Sequence, residues 1–405
     1  MRDEATVTVR ARDVLRRLVL PVYLPVVANT LALGMLVPVL PLYLSEEGLS
    51  LGQTSVVLAG IGIGAAAGAL PAGSLLARFD ERTVVVWALL LTAASTAAVG
   101  LTTSVIALLA LRITTGAANG AMRLSRQTYV TRRVEDGVRG RAMSLIGGSF
   151  RIGLLVGPLL GGVLVDAFGF ATCFAAAGLL SLIGLPPTLR AADPPLRDSA
   201  IARTTGGLIE GVRRHWRLLL VAGVVPMLMM TVREGRFVVV PLIGDELGLS
   251  PTEIGAVVTV STGADALLFP VAGWLMDRFG RLYAIVPSVA LIATGLVLVG
   301  LAESAGMVVA GGAVIGIGNG MSAGTMLTLG SDLAPADAPG PFLAGIGAIQ
   351  DGGRILGPLI VGAVAATADL GAAALALAAI CGVIVAWLVV VIGETTPPAT
   401  IVAAD

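Results

Sequence analysis

The chain has 405 residues, of which 56% are hydrophobic and only 13% charged, with a mean hydropathy of +0.94. So apolar a composition excludes an ordinary soluble domain and describes a membrane protein. The formal net charge is zero, 26 basic against 26 acidic residues, and every basic residue is an arginine. No zinc, phosphate-loop or nucleic-acid pattern stands out, so neither a metal, a cofactor nor a nucleic-acid partner is expected.

Residues 1–17 are polar and carry Arg2, Arg10, Arg12, Arg16 and Arg17 ahead of an apolar run from Leu18 to Leu44. That run is too long for a cleaved signal peptide, is interrupted by Pro21, Pro25, Pro38 and Pro41, and lacks a small-residue cleavage site. A spanning helix needs about 20 residues at ~1.5 Å each, so the run crosses a bilayer with tilt. Further spans are expected near 53–77, 83–101, 105–127, 141–167, 171–189, 217–243, 252–276, 283–301, 305–330, 341–367 and 371–394, twelve in all. With the N-terminus in the cytosol, the outer connections 45–52, 102–104, 168–170, 244–251, 302–304 and 368–370 contain no arginine, whereas the inner ones carry clusters. This is the positive-inside pattern, and it places both termini in the cytosol of a multi-pass plasma-membrane protein. The two cysteines, Cys173 and Cys381, sit inside apolar runs and read as buried free thiols.

The longest polar stretch, with Pro194, Pro195, Gly206 and Gly207, divides the chain almost in half. Residues 190–216 therefore read as a linker between bundles 1–189 and 217–405. The only histidine, His215, stands there beside Trp216 and reads as an interfacial pair. At an offset of 200 the halves repeat: Pro41 and Pro241, Leu49-Ser50 and Leu249-Ser250, Gly73 and Gly273, Arg78-Phe79 and Arg278-Phe279, Asn119-Gly120 and Asn319-Gly320, Gly157-Pro158 and Gly357-Pro358. An internal repeat of this kind points to two like bundles about an axis along the membrane normal, with a site at the midplane. The expected fold is an all-α membrane protein of twelve transmembrane helices in two pseudo-symmetric six-helix bundles. Within the fifth span Gly153, Gly157 and Gly161 stand four apart, on one helix face where another backbone can approach closely.

These residues resemble the major facilitator superfamily over essentially the whole chain. The loop after the eighth span, Gly273-Trp-Leu-Met-Asp277-Arg278-Phe-Gly280-Arg281, is similar to that family's G-x-x-x-D-R-x-G-R loop. Its partner after the second span keeps Gly73 and Arg78 but has Ala77 at the acid position, with Asp80 or Glu81 available as substitutes. Arg112 and Gly116 resemble the family's R-x-x-x-G signature, and Gly153 to Gly162 resembles the G-x-x-x-G-P-x-x-G-G sequence of its antiporter branch. The resemblance implies alternating access about a central cavity, with Asp277 meeting the start of span five near Arg139 and Arg141. It also leaves Asn29 where efflux relatives often carry an acid.

Eight ionisable residues fall well inside the spans: Arg112, Arg151, Arg233, Glu234, Arg236, Asp265, Asp351 and Arg354. Facing lipid at the bilayer centre costs about 2.5–3.5 kcal/mol each, so they must face protein or a wet cavity. Asp351 and Arg354 are three apart on one helix and can pair locally. In the family fold spans five and eight pack together, which makes Arg151 and Asp265 an expected inter-bundle pair. Glu234 is the first choice for proton coupling, with Asp265 and Asp351 as alternatives. Its arginine neighbours leave both roles open, carrier and fixed partner. Asn29, Arg112, Asn119, Arg233, Arg236 and Asn319 join Glu234 as cavity residues. Gly320-Met-Ser322-Ala-Gly324 matches a hydrolase pattern but lies in an apolar span, where it reads as helix packing and not as an enzyme.

The expected function is proton-coupled efflux of a small organic molecule by a monomer in the bilayer. Uptake or facilitated movement of an organic anion, or a non-transporting receptor on the same fold, stand as alternatives.

Overall fold

A computed structural model describes residues 14–16, 18–190, 205–322 and 324–395. Most of the N-terminal arginines and residues 191–204 of the linker lie outside the described residues. Among the described residues every regular element is a helix. The chain divides into two compact units, Met1–Ile201 with Gly244–Thr259, and Ala202–Ile243 with Val260–Asp405.

In the first unit a π-helical turn, Val19–Tyr23, leads into α1 (Leu24–Glu46). It is followed by α2 (Leu51–Arg78), α3 (Glu81–Ala98), α4 (Val105–Arg133), α5 (Asp136–Leu182) and the short α6 (Leu185–Arg190). Pro21 and Pro25 explain the wide first turn: each lacks the N–H that would close a regular α-helical hydrogen bond. α5 holds two spans, because Gly169 leaves helical geometry at φ 80, ψ 169.

In the second unit α7 (Thr205–Arg214) precedes α8 (Trp216–Glu246) and α9 (Pro251–Phe279), whose first turns belong with the other unit. α10 (Arg281–Gly300), α11 (Ala305–Met321), α12 (Thr325–Asp332), α13 (Pro339–Thr367) and α14 (Leu370–Trp387) complete it. Among the described residues ten helical stretches are long and apolar enough to cross a membrane. Gly169 makes one of them two spans, and the 29 residues of α13 reach about 43 Å at 1.5 Å per residue, which brings the spans to twelve.

The tenth span departs from the expectation of one unbroken helix over 305–330. α11 stops at Met321, and Gly324 takes a left-handed φ of 82 before α12 begins. Within Gly320-Met-Ser322-Ala-Gly324, Gly320 does pack a helix, since its Cβ would lie 2.7 Å from the Asp265 carbonyl on α9, while Gly324 makes the break. A glycine accepts the left-handed conformation without a Cβ clash, and Ser322 at the break keeps its hydroxyl on the Asn319 carbonyl at 3.0 Å.

The repeat seen in the sequence recurs in local geometry. Gly48 and Gly248 take φ of 76 and 78, each followed by a leucine N–H bonding back five residues, Leu49 to Leu44 and Leu249 to Gly244, both at 3.0 Å. This is the glycine stop that satisfies the last carbonyls of a helix. Two residues on, Ser50 with Gln53 and Ser250 with Glu253 form reciprocal capping boxes that start α2 and α9.

The close packing is made by glycine. A Cβ added to Gly157 would lie 2.7 Å from the Gly34 backbone, and one on Gly161 2.5 Å from the Met35 carbonyl. In the second unit, α13 meets α8 the same way: a Cβ on Gly353 would lie 2.8 Å from Thr231 N, and one on Gly357 2.8 Å from Gly235 N. The backbones thus touch over the stripe that the glycine ladder marks.

Gly157→Val should cost at least 1–3 kcal/mol (about the penalty for overpacking a full core), seen as a lower unfolding temperature and a broadened gel-filtration peak in detergent. Gly347→Ala, on α13 with nothing within 4 Å of the new Cβ, should be neutral or stabilise by about 0.5–1 kcal/mol in the same assay.

Candidate functional site

In the first unit α1 and α4 bring two candidate residues together. Asn29, 2% exposed, donates from Nδ2 to Asn119 Oδ1 at 2.7 Å. Asn119 in turn donates to the Thr115 carbonyl one turn back at 2.8 Å. Such amide pairs between membrane helices contribute about 0.6–1.7 kcal/mol and fix which faces meet. Arg112, 6% exposed, lies against α2, where a Cβ on Gly60 would stand 2.9 Å from its own Cβ. Arg151 on α5 is half-buried.

The second unit holds the denser cluster, on α8, α9 and α11. Arg233 Nη2 donates to Ser322 Oγ at 2.9 Å, so the break in the tenth span presents a hydroxyl to a membrane arginine. Arg236, 5% exposed, stacks on Phe237 at 4.6 Å and reaches Ser261 Oγ at 3.4 Å. Asp265 Oδ2 accepts from Asn319 Nδ2 at 2.6 Å, a charge-assisted bond that keeps the amide on α11 aimed at α9. Glu234 sits on the close α8–α13 seam, its Cβ 3.1 Å from where a Gly357 side chain would start. On α13, Arg354 Nε lies 3.1 Å from Asp351 Oδ1. Ser261 was not singled out in the sequence, where an isolated serine in an apolar span carries no distinguishing pattern, and Ser322 was noticed only within the hydrolase-like pattern and not as an arginine's partner.

The motif loops resolve into helix caps and ion pairs. Asp80 caps α3 by accepting from Thr83 N at 3.0 Å. Glu81, 4% exposed, pairs with Arg132 at 3.0 Å and Arg133 at 3.3 Å at the end of α4. Both acids therefore act within their own unit. Arg78 closes α2 and is exposed, and the surroundings of Gly73 and Ala77 lie outside what is described. At the equivalent place in the second unit the charges are exchanged: Arg281 Nε lies 2.8 Å from Asp332 Oδ2. Gly280 stands where Asp80 would, at φ 104, and the missing cap comes from Glu394, whose carboxylate accepts from Arg281 N at 2.9 Å and Leu282 N at 3.0 Å. Asp277 and Arg278 are exposed at the end of α9, with Arg278 over Trp274 at 5.8 Å and Phe279 at 5.6 Å. Arg139 donates to the Thr131 carbonyl at 3.0 Å, at the end of α4.

Long apolar helices whose interior charges are covered by protein define a multi-pass membrane protein. The Major Facilitator Superfamily model matches residues 22–233 and again 224–404, and the chain belongs to that family. It is 33% identical over 129 residues to a triacylglyceride transporter of Mycolicibacterium hassiacum, covering 30% of this chain and 24% of that one. The chain thus spans only about a quarter of the length of the first curated relatives it matches. A putative niacin/nicotinamide transporter of Bacillus subtilis, NiaP, is 24% identical over 309 residues, 75% of this chain and 77% of its own. Among solved structures, a bacterial homologue of the lysosomal transporter Spinster superposes with a TM-score of 0.74 at 15% identity, covering 93% of this chain and 94% of that one. The nucleoside transporter NupG superposes with a TM-score of 0.74 at 14% identity, covering 91% and 98%. Each of these relatives and structural neighbours is named as a transporter.

Removing the swapped pair by Arg281→Ala and Asp332→Ala, singly and together, should give a coupling of about 0.5–1 kcal/mol in a thermal-unfolding double-mutant cycle. Hydrogen bonding from Thr83 holds the Asp80 carboxyl below its ordinary value of 3.8. A depressed value means that the ionised cap stabilises the fold above the unfolded value and loses that contribution as pH falls through the folded one. Asp80→Ala should therefore cost about 1 kcal/mol at pH 7, and the difference from the parent should begin to shrink as pH falls below 3.8.

Proposed function

We propose that the protein is a proton-coupled carrier that exports a small organic molecule across the plasma membrane by alternating access, with Glu234 as the proton site. One observation carries this reading. Among the described residues the Glu234 carboxylate makes no hydrogen bond or ion pair, whereas Asp265 accepts from Asn319 and Asp351 lies against Arg354. A carboxylate so placed takes up and releases a proton without first breaking a partner's bond. Its position on the α8–α13 seam couples that charge change to helix packing, because Gly357 leaves no slack there.

Export is supported by the Gly153 to Gly162 sequence on α5 and by similarity to the bacillibactin exporter of Bacillus subtilis, 26% identical over 144 residues, 34% of this chain and 36% of that one. In the same reading Asn29, Arg112, Asn119, Arg233, Arg236 and Asn319 contact the substrate, and Asp265 and Asp351 are the remaining proton candidates. Arg151 carries a compensating charge, and the loops at Asp277 and Arg278 act in gating. Bundles 1–189 and 217–405 move about the linker 190–216 in a monomer whose termini are cytosolic and which has no nucleic-acid partner.

The second reading is facilitated movement of an organic anion. It is favoured by five arginines against three acids inside the spans and by the similarity to NiaP, whose named cargo includes a carboxylate.

Proteoliposomes with an inside-acid gradient, challenged in turn with drug-like cations and organic anions, separate the two. Substrate-triggered alkalinisation of the lumen that vanishes in Glu234→Gln is the expected result. Proton movement that persists in Glu234→Gln moves the role to Asp265 or Asp351, and anion flux without any proton movement replaces export by facilitation.

A further inference from the structure

At one end of the first unit a cavity of about 30 Å³ lies among the π-helical turn before α1, the start of α3, the last third of α4 and α6. Its wall includes Pro21, Glu81, Arg82, Arg126, Tyr129 and Thr188. This is room for one or two groups of water size. Arg126 is only 7% exposed, and among the described residues its Nε and Nη2 have no hydrogen-bond partner. The carboxylate in the wall does not answer this charge, because both Glu81 oxygens are held by Arg132 and Arg133. The Arg82 guanidinium is anchored through Nε to the Thr188 carbonyl at 2.6 Å, a neutral acceptor. Of the charged residues in the wall, Arg82 and Arg126 stand beside a single acid, Glu81, whose charge is already shared with Arg132 and Arg133. A buried guanidinium with unmet donors is among the costliest groups a fold can hold. A water molecule meets the donors but leaves the charge, whereas an anion meets both.

We propose that this cavity binds a compact anion, a halide such as chloride or a single edge of a phosphate group, with Arg126 as the principal ligand and Arg82 beside it. The bound charge ties α3, α4, α6 and the entry of α1 together at the arginine-rich end of the unit. The site lies within the first unit and does not depend on what the carrier moves.

The test uses the full chain in a neutral detergent, exchanged into sodium gluconate and unfolded thermally at constant ionic strength. One arm replaces gluconate by chloride, a second by inorganic phosphate, and a third adds micelles of phosphatidylglycerol; ³⁵Cl NMR line broadening is followed in the first. A saturable rise of a few degrees with chloride is expected, with excess ³⁵Cl broadening, and both should be lost in Arg126→Met. Should Arg126→Met fail to fold, Arg82→Gln provides the second reading, with its chloride midpoint raised severalfold. A rise with phosphate alone assigns the site to a free oxyanion, and one with the lipid alone assigns it to a headgroup phosphate. Equal unfolding temperatures in all anions, or a rise undiminished in both variants, overturns the proposal.

Discussion

Backbone contact between helices is the constraint on which the rest of this protein depends. Lipid tails are as apolar as leucine, so burying apolar side chains against one another gives membrane helices little reason to associate. Here the association is made by glycines that let α5 lie on α1 and α13 lie on α8 with no side chain between them. The consequence reaches two of the candidate residues. Asn29 sits one residue before Thr30, which Gly153 packs against, and Glu234 one residue before Gly235, which Gly357 packs against. A candidate residue in each unit is thus attached to a glycine-packed seam.

The charged groups follow a second rule, that each must be answered close by. The two halves answer it with the same geometry and different residues. Glu81 with Arg132 becomes Arg281 with Asp332, and the Asp80 cap becomes a cap from Glu394, far along the chain. The interaction across the two positions has been kept while its polarity was reversed, as expected where pairing and not the sign of either charge stabilises the helix ends. Polar pairing at mid-span changes partners in a similar way: Asn119 bonds Asn29 of the first span in its unit, whereas Asn319 bonds Asp265 of the second span in its own.

Much of this was legible in the chain. Twelve apolar runs, the arginine distribution, the 200-residue repeat and the four-spaced glycines are properties of order and composition, and they led to the fold and the family. The turns after α1 and α8 are local as well, because Gly48 and Gly248 with the Ser50 and Ser250 boxes act within six residues. Other features were not legible. The break between α11 and α12 arises in a run apolar enough to read as one span, and nothing in the run says which glycine will turn left-handed. The two ion-pair clamps were missed because their partners lie about 50 residues apart, although opposite charges at positions offset by 200 were the available signal.

By itself the sequence determined that the chain enters a bilayer, how many times it crosses, that it was built twice, and that eight charges inside the spans require cover. Those conclusions rest on transfer energies and periodicities that each residue carries wherever it goes. Only the tertiary structure decided which charge meets which partner: that Asp351 lies against Arg354, that Asp265 accepts from Asn319, that Glu234 lies within charge reach of Arg236 without a described hydrogen bond or ion pair, and that Arg126 faces a small cavity with Nε and Nη2 unmet among the described residues. The reason is that a hydrogen bond depends on ångström-scale separation and direction, set by how helices rotate and seat against one another. That seating is fixed by packing summed over many residues and not by any single one.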